Sequence, residues 1–322
     1  MGQLIDGVWS TEWYPPDEEG RFQRPATRFR GQVTADGSSG FKAEAGRYHL
    51  YVSYACPWAH RTLILRKLKG LEPAISYSVV DYLMGDDGWA FSDRPGCTPD
   101  TVNHRKFLRE IYLLARTDYT GRVTVPVLWD TETQTIVNNE SREIVRMLDT
   151  EFNAIAGSTD DFYPTGLRER IDDTIDAIYE SINNGVYRAG FATSQQAYDE
   201  AVTDVFAALD HWEHVLDKQR YLCGDAITEA DWCMFPTLFR FDPVYVCHFK
   251  CNIRRIVDYP NLWNYLKELY QVPGVAETCN LDHIKGHYFE SHRHMNPYGI
   301  VPKGPLIDFT EAHDRDRLPR SS

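Results

Sequence analysis

The chain has 322 residues, of which 43% are hydrophobic and 25% charged, which is typical of a globular protein long enough for two ordinary domains. Its net charge of −13 argues against nucleic acid or an anionic membrane surface as a partner. No apolar run approaches the roughly 20 residues that a spanning helix needs. The opening MGQLIDGVWSTEWYPPDEEG carries acidic residues where a signal peptide has a basic end. We therefore expect a cytoplasmic protein.

The first part of the chain, residues 1–45, is rich in glycine, proline and charge and shows no sustained period. We interpret it as an extended arm with aromatic anchors at Trp9, Trp13 and Tyr14. From residue 46 the pattern changes to alternating strands and helices. In chain order we predict a strand over 48–53, a helix over about 57–69, a strand over 75–80, a helix over about 104–116, strands over 123–130 and 135–138, and a helix from 139 onwards.

One proline interrupts this pattern inside the predicted strand TVPVL. Proline cannot donate to a strand ladder, so Pro126 marks an edge position or a cis bond at a tight site. The order β-α-β followed by β-β-α, with this proline in the hairpin, predicts an α/β thioredoxin-like N-terminal domain over residues 46–155.

The second half of the chain is helical in pattern after the loop GSTDDFYPTG. Apolar residues recur at three- and four-residue spacings, and helix-capping residues open several of the segments. We predict an all-α C-terminal helical bundle over residues 160–322, in which the stretch from about 280 onwards is a polar, His-rich tail without period that wraps the surface.

Seven cysteines are scattered along the chain, at positions 56, 97, 223, 233, 247, 251 and 279. This odd, dispersed set is not a secreted disulfide framework, and most of these thiols are expected to be buried and inert. Cys56 differs because it stands where the first predicted strand meets the first predicted helix, in YACPWAH. A helix N-terminus stabilises a thiolate, and Pro57 suits the first helical turn.

The position of a resolving thiol in a Cys-x-x-Cys motif is taken here by Ala59. Cys56 therefore cannot form a local disulfide and has to react with a sulfur atom from outside. The sequence favours monothiol chemistry with a small thiol co-substrate.

A second candidate site is the pair Glu140 and Ser141, at the start of the helix that follows the predicted hairpin. Such a place can hold an α-carboxylate on backbone N–H groups and a hydroxyl, while the glutamate pairs with an α-amine. Taken alone, the pair also fits an ordinary helix N-cap. Its position after Cys56 and the Pro126 hairpin favours a clamp for a γ-glutamyl group, although γ-glutamylcysteine would fit the same clamp as glutathione.

Taken together, several motifs resemble the glutathionyl-hydroquinone reductases, the xi class of the glutathione transferase superfamily. The resemblance runs nearly end to end and is carried by YVSYACPWAHRTLILRKLKGLE, DGWAF, VTVPVLWD, NNESREI, NNGVYRAGFA, HIKGHYFESH and NPYGIVPKGP. It implies the glutathione transferase architecture, glutathione as co-substrate and a homodimer. It also implies that Cys56 is the nucleophile.

The same resemblance implies further roles. It makes Tyr187 the proton donor and acceptor for the aromatic substrate, and it places the hydroxyls of Tyr245 and Tyr288 near Cys56, where they lower the pKa of the thiol. It makes Trp89 a flap over glutathione. With the segment before the proline and the glutamyl clamp, the implied glutathione-binding set is Trp89, Arg122, Val123, Thr124, Val125, Glu140 and Ser141.

The histidines near the C-terminus invite a metal hypothesis, because His283 and His287 are four residues apart. The segment HIKGH lacks the glutamate of a zincin helix, and we expect Gly286 to break the helix that would align the pair. We therefore predict structural histidines and no metal.

Two other functions remain open at this stage. An omega-like thioltransferase or dehydroascorbate reductase would use Cys56 without needing Tyr187. A non-catalytic module for binding or assembly would have no use for an activated thiolate. An adduct on Cys56 after incubation with glutathione disulfide would argue for either enzyme, and turnover of a glutathionyl-hydroquinone against dehydroascorbate would separate them.

Overall fold

The computed structural model describes residues 2–12 and 15–320 of the chain. The chain divides into two units, each described below by itself. Among the described residues, the first contains 2–12, 25–160 and 278–301, and the second contains 15–24, 161–277 and 302–320.

The strands are, in chain order, β1 Gln3–Ile5, β2 Val8–Ser10, β3 Val33–Thr34, β4 Phe41–Lys42, β5 Tyr48–Val52, β6 Ile75–Val79, β7 Gly121–Arg122, β8 Val127–Asp130 and β9 Thr135–Asn138. The α-helices are α1 Pro57–Leu68, α2 Leu108–Ala115, α3 Ser141–Thr150, α4 Arg168–Ile178, α5 Gly185–Gly190, α6 Gln195–Lys218, α7 Glu229–Arg240, α8 Val246–His248, α9 Pro260–Tyr270 and α10 Leu281–Ser291.

The core of the first unit is a mixed four-stranded sheet in the order β6-β5-β8-β9. Strand β5 is parallel to β6 and antiparallel to β8, and β8 is antiparallel to β9. Every residue of β5 is buried, in keeping with its apolar sequence and central place. Helices α1 and α3 pack against each other, and α2 packs against β9. This is the thioredoxin-like arrangement predicted from the sequence.

Several predicted boundaries shift by a few residues in the structure. Helix α2 begins at Leu108 rather than near residue 104, and strand β8 begins at Val127 rather than at residue 123. The peptide bond between Val125 and Pro126 is cis, the second of the two alternatives expected for this proline. Because Pro126 precedes the strand, β8 can occupy a central position in the sheet.

The N-terminal arm is more ordered than the sequence predicts. Strands β1 and β2 form a hairpin, and β1 also pairs with β7. The indole of Trp9 donates to the carbonyl oxygen of Asp86 at 2.8 Å and packs on Gly88, where a Cβ would lie only 2.8 Å from the ring. The anchoring role predicted for Trp9 is confirmed. Trp13 and Tyr14 lie outside the described residues.

The predicted C-terminal tail contains a helix, α10, and the segment 278–301 clusters with the first unit. The expectation that Gly286 breaks a helix here is therefore wrong. Periodicity missed α10 because its buried residues include His283, Gly286 and His287 instead of an unbroken apolar stripe.

The second unit is helical, as predicted, and contains two π-helical turns, Tyr179–Asn183 and Phe241–Tyr245. Residues 15–24 of the arm pack on this unit, where Arg21 pairs with Glu200 and Ser194 donates to the carbonyl oxygen of Glu19. Within the described ranges, none of the helices has the length and apolar character needed to cross a bilayer.

Candidate active site

Three chain segments meet at one edge of the main sheet. Strand β5 ends there and leads into α1, and Tyr51 near its end pairs with Val127 at the start of the antiparallel β8. Asn138 at the end of β9 pairs with Leu128 and leads into α3. The register therefore brings together the three stretches 53–57, 123–126 and 139–141, which contain most of the site residues implied by the sequence.

Cys56 is the N-cap residue of α1, and Pro57 occupies the first helical turn. The cysteine is partly exposed, and its sulfur lies 3.5 Å from the carbonyl oxygen of Val125. The helix has no acidic residue in its first turn, and Arg66 and Lys67 lie in its last turn. The dipole of such a helix favours negative charge on an atom at its N-terminus, so the geometry suits a thiolate nucleophile.

The backbone before the cis proline is held by the hydroxyl of Tyr112. This hydroxyl donates to the carbonyl oxygen of Thr124 at 2.8 Å and accepts from the Thr124 N–H at 3.2 Å. It also accepts from the amide of Asn139 at 3.0 Å. Burial raises the pKa of the Tyr112 phenol, which keeps the hydroxyl protonated as a donor. One buried oxygen thus links the stretch 123–126 to the residue just before Glu140.

Glu140 and Ser141 lie at the start of α3, as the sequence predicts. Glu140 is the N-cap residue, its carboxylate accepts from the Arg142 N–H, and it also accepts from the Thr27 hydroxyl at 3.2 Å. Ser141 is buried, and its hydroxyl accepts from the guanidinium of Arg61 on α1 at 3.4 Å. An anion at this helix start would meet backbone N–H groups, a hydroxyl and a nearby cation.

Arg122 and Val123 complete the stretch before the proline. Arg122 ends β7 and pairs with Gln3, and its carbonyl oxygen accepts from the hydroxyl of Tyr119 at 3.1 Å. The Val123 and Val125 side chains are buried.

Trp89 lies in the long insertion between β6 and α2. Its carbonyl oxygen accepts from the Leu108 N–H at 2.9 Å, and its side chain is buried against the ring of His287 on α10. Tyr288, the next residue of α10, is also buried and belongs to the same unit as Cys56.

Tyr187 and Tyr245 belong to the second unit. Tyr187 lies in α5, just after the first π-helical turn, and Tyr245 is the last residue of the second turn. Their ring centroids are 6.1 Å apart, and both rings pack against Phe249. The guanidinium of Arg24 lies 5.0 Å from the centroid of the Tyr187 ring, and its Nε donates to the Asn184 side chain at 2.8 Å. The two tyrosines thus form an aromatic cluster with a cation against one ring.

Three of the other cysteines lie where burial disfavours a thiolate. Burial raises the pKa of the thiols of Cys97 and Cys223, and it raises the pKa of Cys251 to about 12. These three thiols stay protonated at neutral pH and are poor nucleophiles. Throughout the part of the chain that the structure describes, no three His, Cys, Asp or Glu side chains are grouped so that they could hold a metal ion.

Two family models match this chain. The model of the glutathione S-transferase N-terminal domain matches residues 55–151, and that of the glutathione S-transferase C-terminal domain matches residues 195–268. A thioredoxin-like unit with a cysteine at its first helix, together with a helical unit, defines the same class, so the chain belongs to the glutathione transferase superfamily.

Relatives over nearly the full length narrow this class. The chain is 56% identical to glutathionyl-hydroquinone reductase YqjG of Escherichia coli, across 98% of this chain and 99% of that protein. It is 50% identical to glutathionyl-hydroquinone reductase PcpF of Sphingobium chlorophenolicum, across 95% and 96% of the two chains. The chain is a member of the glutathionyl-hydroquinone reductase family, the xi class of glutathione transferases.

Solved structures agree with this assignment. A xi-class glutathione transferase from Natrialba magadii has a TM-score of 0.95 and 56% identity, with 100% of this chain and 98% of that chain covered. The glutathione-bound structure of YqjG from Escherichia coli has a TM-score of 0.91 and 54% identity, with 98% and 99% covered.

Sequence reasoning missed several residues that shape the site. Tyr112 and Asn139 have no motif of their own, because a buried hydroxyl contact between distant segments leaves no periodic signal. The Asn-Glu-Ser run that follows β9 was a usable signal, since it places Asn139 one residue before the clamp. Arg24 lies in the aperiodic arm, where only the fold shows that it reaches Tyr187.

Proposed function

We propose that this protein reduces glutathionyl-hydroquinones to hydroquinones, with glutathione as co-substrate and a mixed disulfide between Cys56 and glutathione as intermediate. The observation that carries the proposal is the partly exposed Cys56 at the start of α1, with Ala59 in place of a resolving cysteine, in a chain whose full-length relatives are named glutathionyl-hydroquinone reductases.

In the first step, the Cys56 thiolate attacks the sulfur of the glutathionyl group. A sulfur–sulfur bond forms and the bond between sulfur and the ring carbon breaks, so its electron pair stays on the ring carbon. Tyr187 supplies the proton that this carbon takes up. The products are the hydroquinone and the mixed disulfide, with the ring reduced and the two sulfur atoms oxidised.

In the second step, the thiolate of another glutathione attacks the mixed disulfide at the glutathione sulfur. Glutathione disulfide leaves, and Cys56 returns as a thiolate. This two-step covalent cycle follows from the residue at the resolving position, Ala59, which has no thiol to release the adduct internally.

Glutathione itself would occupy the edge of the sheet where the three segments meet. Glu140 would pair with its α-amine, and Ser141 with the N-terminus of α3 would hold its α-carboxylate. The backbone of Val123, Thr124 and Val125 would pair with its cysteinyl part, close to the Cys56 sulfur. Trp89 and Arg122 are assigned to the same molecule by family resemblance, and Tyr245 and Tyr288 to lowering the pKa of the Cys56 thiol.

The proposal is tested by mass spectrometry and a product assay. Incubation with a glutathionyl-hydroquinone such as glutathionyl-menadiol, without free glutathione, should add one glutathionyl group to Cys56 and release one equivalent of hydroquinone. Added glutathione should remove the adduct and restore turnover. Hydroquinone release without an adduct on Cys56 would exclude the mechanism.

A second candidate is an omega-like thioltransferase or dehydroascorbate reductase. It is supported by a relative from Schizosaccharomyces pombe, 47% identical across 92% of this chain and named glutathione S-transferase omega-like 2. Dehydroascorbate reduction faster than glutathionyl-menadiol reduction, and unaffected by Tyr187→Phe, would favour this function over the first.

We further propose that the protein is a cytoplasmic homodimer. The dimer is supported by the exposed apolar side chains of Tyr298 and Ile300, which are 86% and 69% accessible. Light scattering coupled to size-exclusion chromatography should give twice the chain mass of 37.2 kDa, and a monomer mass would refute it.

A further inference from the structure

Helix α10 holds the insertion that carries Trp89 through residues spaced four apart. His283 Nε2 lies 2.7 Å from the carbonyl oxygen of Pro95, and His287 Nδ1 lies 2.8 Å from the carbonyl oxygen of Tyr82. The Ser291 hydroxyl accepts from the N–H of Met84 at 2.9 Å. Residues four apart lie on one face of a helix, so a single face of α10 holds this loop.

The same face is shaped to fit the loop. A Cβ on Gly286 would lie 2.8 Å from the ring of Tyr82, so only glycine lets this ring approach the helix so closely. The His283 ring packs against Tyr82 with a centroid separation of 4.9 Å. The regular histidine spacing, which raised the question of a metal in the sequence, is thereby explained by contacts with the loop.

His287 contacts the side chain of Trp89 directly. Its ring stacks on the indole with a centroid separation of 4.8 Å and an interplanar angle of 21°. The hydrogen on Nδ1 is required because the carbonyl oxygen of Tyr82 can only accept. This bond fixes the ring plane, and both side chains are 7% accessible. The main chain of Trp89 is held separately by Leu108, so the stack is a contact of the side chain alone.

We propose that His287 is the positioning residue of Trp89 and acts through this ring stack. The consequence for glutathione rests on the proposed function, in which Trp89 covers that ligand. An indole held in one rotamer before the ligand arrives spares the cost of ordering it on binding. His287 then raises glutathione affinity without touching glutathione.

Two substitutions of His287 separate its two contacts. His287→Phe keeps a ring to stack on Trp89 and loses the donor, whereas His287→Asn keeps an N–H donor for the carbonyl oxygen of Tyr82 and loses the ring. The emission of Trp89 is obtained as the difference between each protein and its Trp89→Phe derivative, without any ligand. We expect a red shift in His287→Asn and His287→Ala and little change in His287→Phe. His283→Leu is the matched control, because it removes the contact between α10 and the carbonyl oxygen of Pro95, which does not involve His287, and should leave this emission unchanged.

Glutathione affinity is measured on the same proteins, with Trp89→Ala added alone and combined with His287→Ala. We expect Trp89→Ala to weaken glutathione binding about tenfold and His287→Ala about three- to tenfold. The double variant should bind glutathione as weakly as Trp89→Ala, within about twofold.

Two outcomes would overturn the inference. In the first, the losses of affinity from the two single variants multiply in the double variant. In the second, His287→Asn keeps the wild-type emission and affinity while His287→Phe loses both. If Trp89→Ala binds glutathione normally while the emission shifts occur as expected, the role of Trp89 in the proposed function fails and the positioning by His287 stands. Thermal unfolding of each variant identifies any that fails to fold, and His287→Phe then carries the comparison.

Discussion

The sulfur of Cys56 lies 3.5 Å from the carbonyl oxygen of Val125, across the sheet edge where β5 ends and β8 begins. A ligand whose own backbone pairs with the stretch before Pro126 would therefore bring its sulfur close to the Cys56 thiol. In the proposed mechanism this arrangement couples binding of a thiol peptide to attack on its sulfur, because both would use the same edge.

Replacing the nucleophile should abolish turnover and leave the rest of the protein intact. Cys56→Ser removes one reactive atom from a partly exposed helix start, so glutathione should still bind and the thermal midpoint should change little. Hydroquinone release and calorimetric titration with glutathione measure the two effects. Cys247→Ser is the control, since Cys247 is exposed and free. Turnover of Cys56→Ser within about tenfold of wild type would contradict this role.

Removing the hydroxyl of Tyr112 should weaken glutathione binding more than it slows the chemistry. Tyr112→Phe takes away the oxygen that links Thr124 to Asn139, so the two halves of the binding site lose their common contact. We expect the KM for glutathione to rise about three- to tenfold with kcat nearly unchanged. We also expect a loss of about 1–3 kcal/mol in the free energy of unfolding, because buried polar groups lose a partner.

The control for this change is Tyr48→Phe. Tyr48 is a buried tyrosine of the same unit whose hydroxyl donates to the carbonyl oxygen of Lys42 at 2.7 Å. An equal rise in KM in both variants would mean that the effect is a general loss of stability.

The γ-glutamyl clamp can be tested by removing one charge. Glu140→Gln keeps the size and the N-cap oxygen but cannot pair with an α-amine as an anion, so the KM for glutathione should rise about tenfold. Glu143→Gln is the matched control, because Glu143 lies on the same helix and pairs with Arg30 instead. Similar KM values for Glu140→Gln and wild type would reassign Glu140 to helix capping.

Deleting the hydroxyl of Tyr187 should slow protonation of the ring carbon without slowing formation of the Cys56 adduct. Tyr187→Phe lacks the proposed proton donor for the ring carbon, so hydroquinone release should slow by about 10²–10⁴-fold, the usual contribution of a positioned general acid. Formation of the Cys56 adduct from glutathione disulfide needs no ring protonation and should keep its rate. Stopped-flow measurements give the rates of hydroquinone release and of adduct formation in the variant and in wild type. Equal slowing of the two reactions would assign Tyr187 to packing.

The stability of the first unit should fall as the pH drops, through His49 on β5. Burial lowers the pKa of His49 from 6.5 to about 4, and its ring nitrogens bond to the hydroxyls of Ser76 and Ser78. Between these two values only the unfolded chain takes up the proton, so the free energy of unfolding falls as pH drops from 6.5 towards 4 and is flat above 6.5.

This contribution amounts to at most about 1.4 kcal/mol per pH unit. Urea unfolding of wild type and His49→Gln at several pH values between 7 and 4.5 should show a shallower pH dependence in the variant. Parallel curves would mean that His49 has the same pKa in the folded and the unfolded chain.

Much of the site was readable from the sequence because its signals are local. Cys56 at a strand-to-helix junction, Pro126 in a hairpin and Glu140-Ser141 at a helix start each depend on residues within one turn or strand. Capping and proline geometry are set by neighbouring residues, so a linear pattern carries them.

The remaining features needed the tertiary structure. The sequence by itself predicted a thioredoxin-like domain and a helical domain, and it indicated Cys56 as the candidate monothiol nucleophile. Only the fold decided that α10 is a buried helix, that His287 stacks on Trp89 and that one Tyr112 hydroxyl joins Thr124 to Asn139. These contacts join residues far apart in the chain through polar or aromatic side chains. Hydrophobic periodicity reports which face of an element is apolar, and it holds no information about which distant polar groups that face will meet.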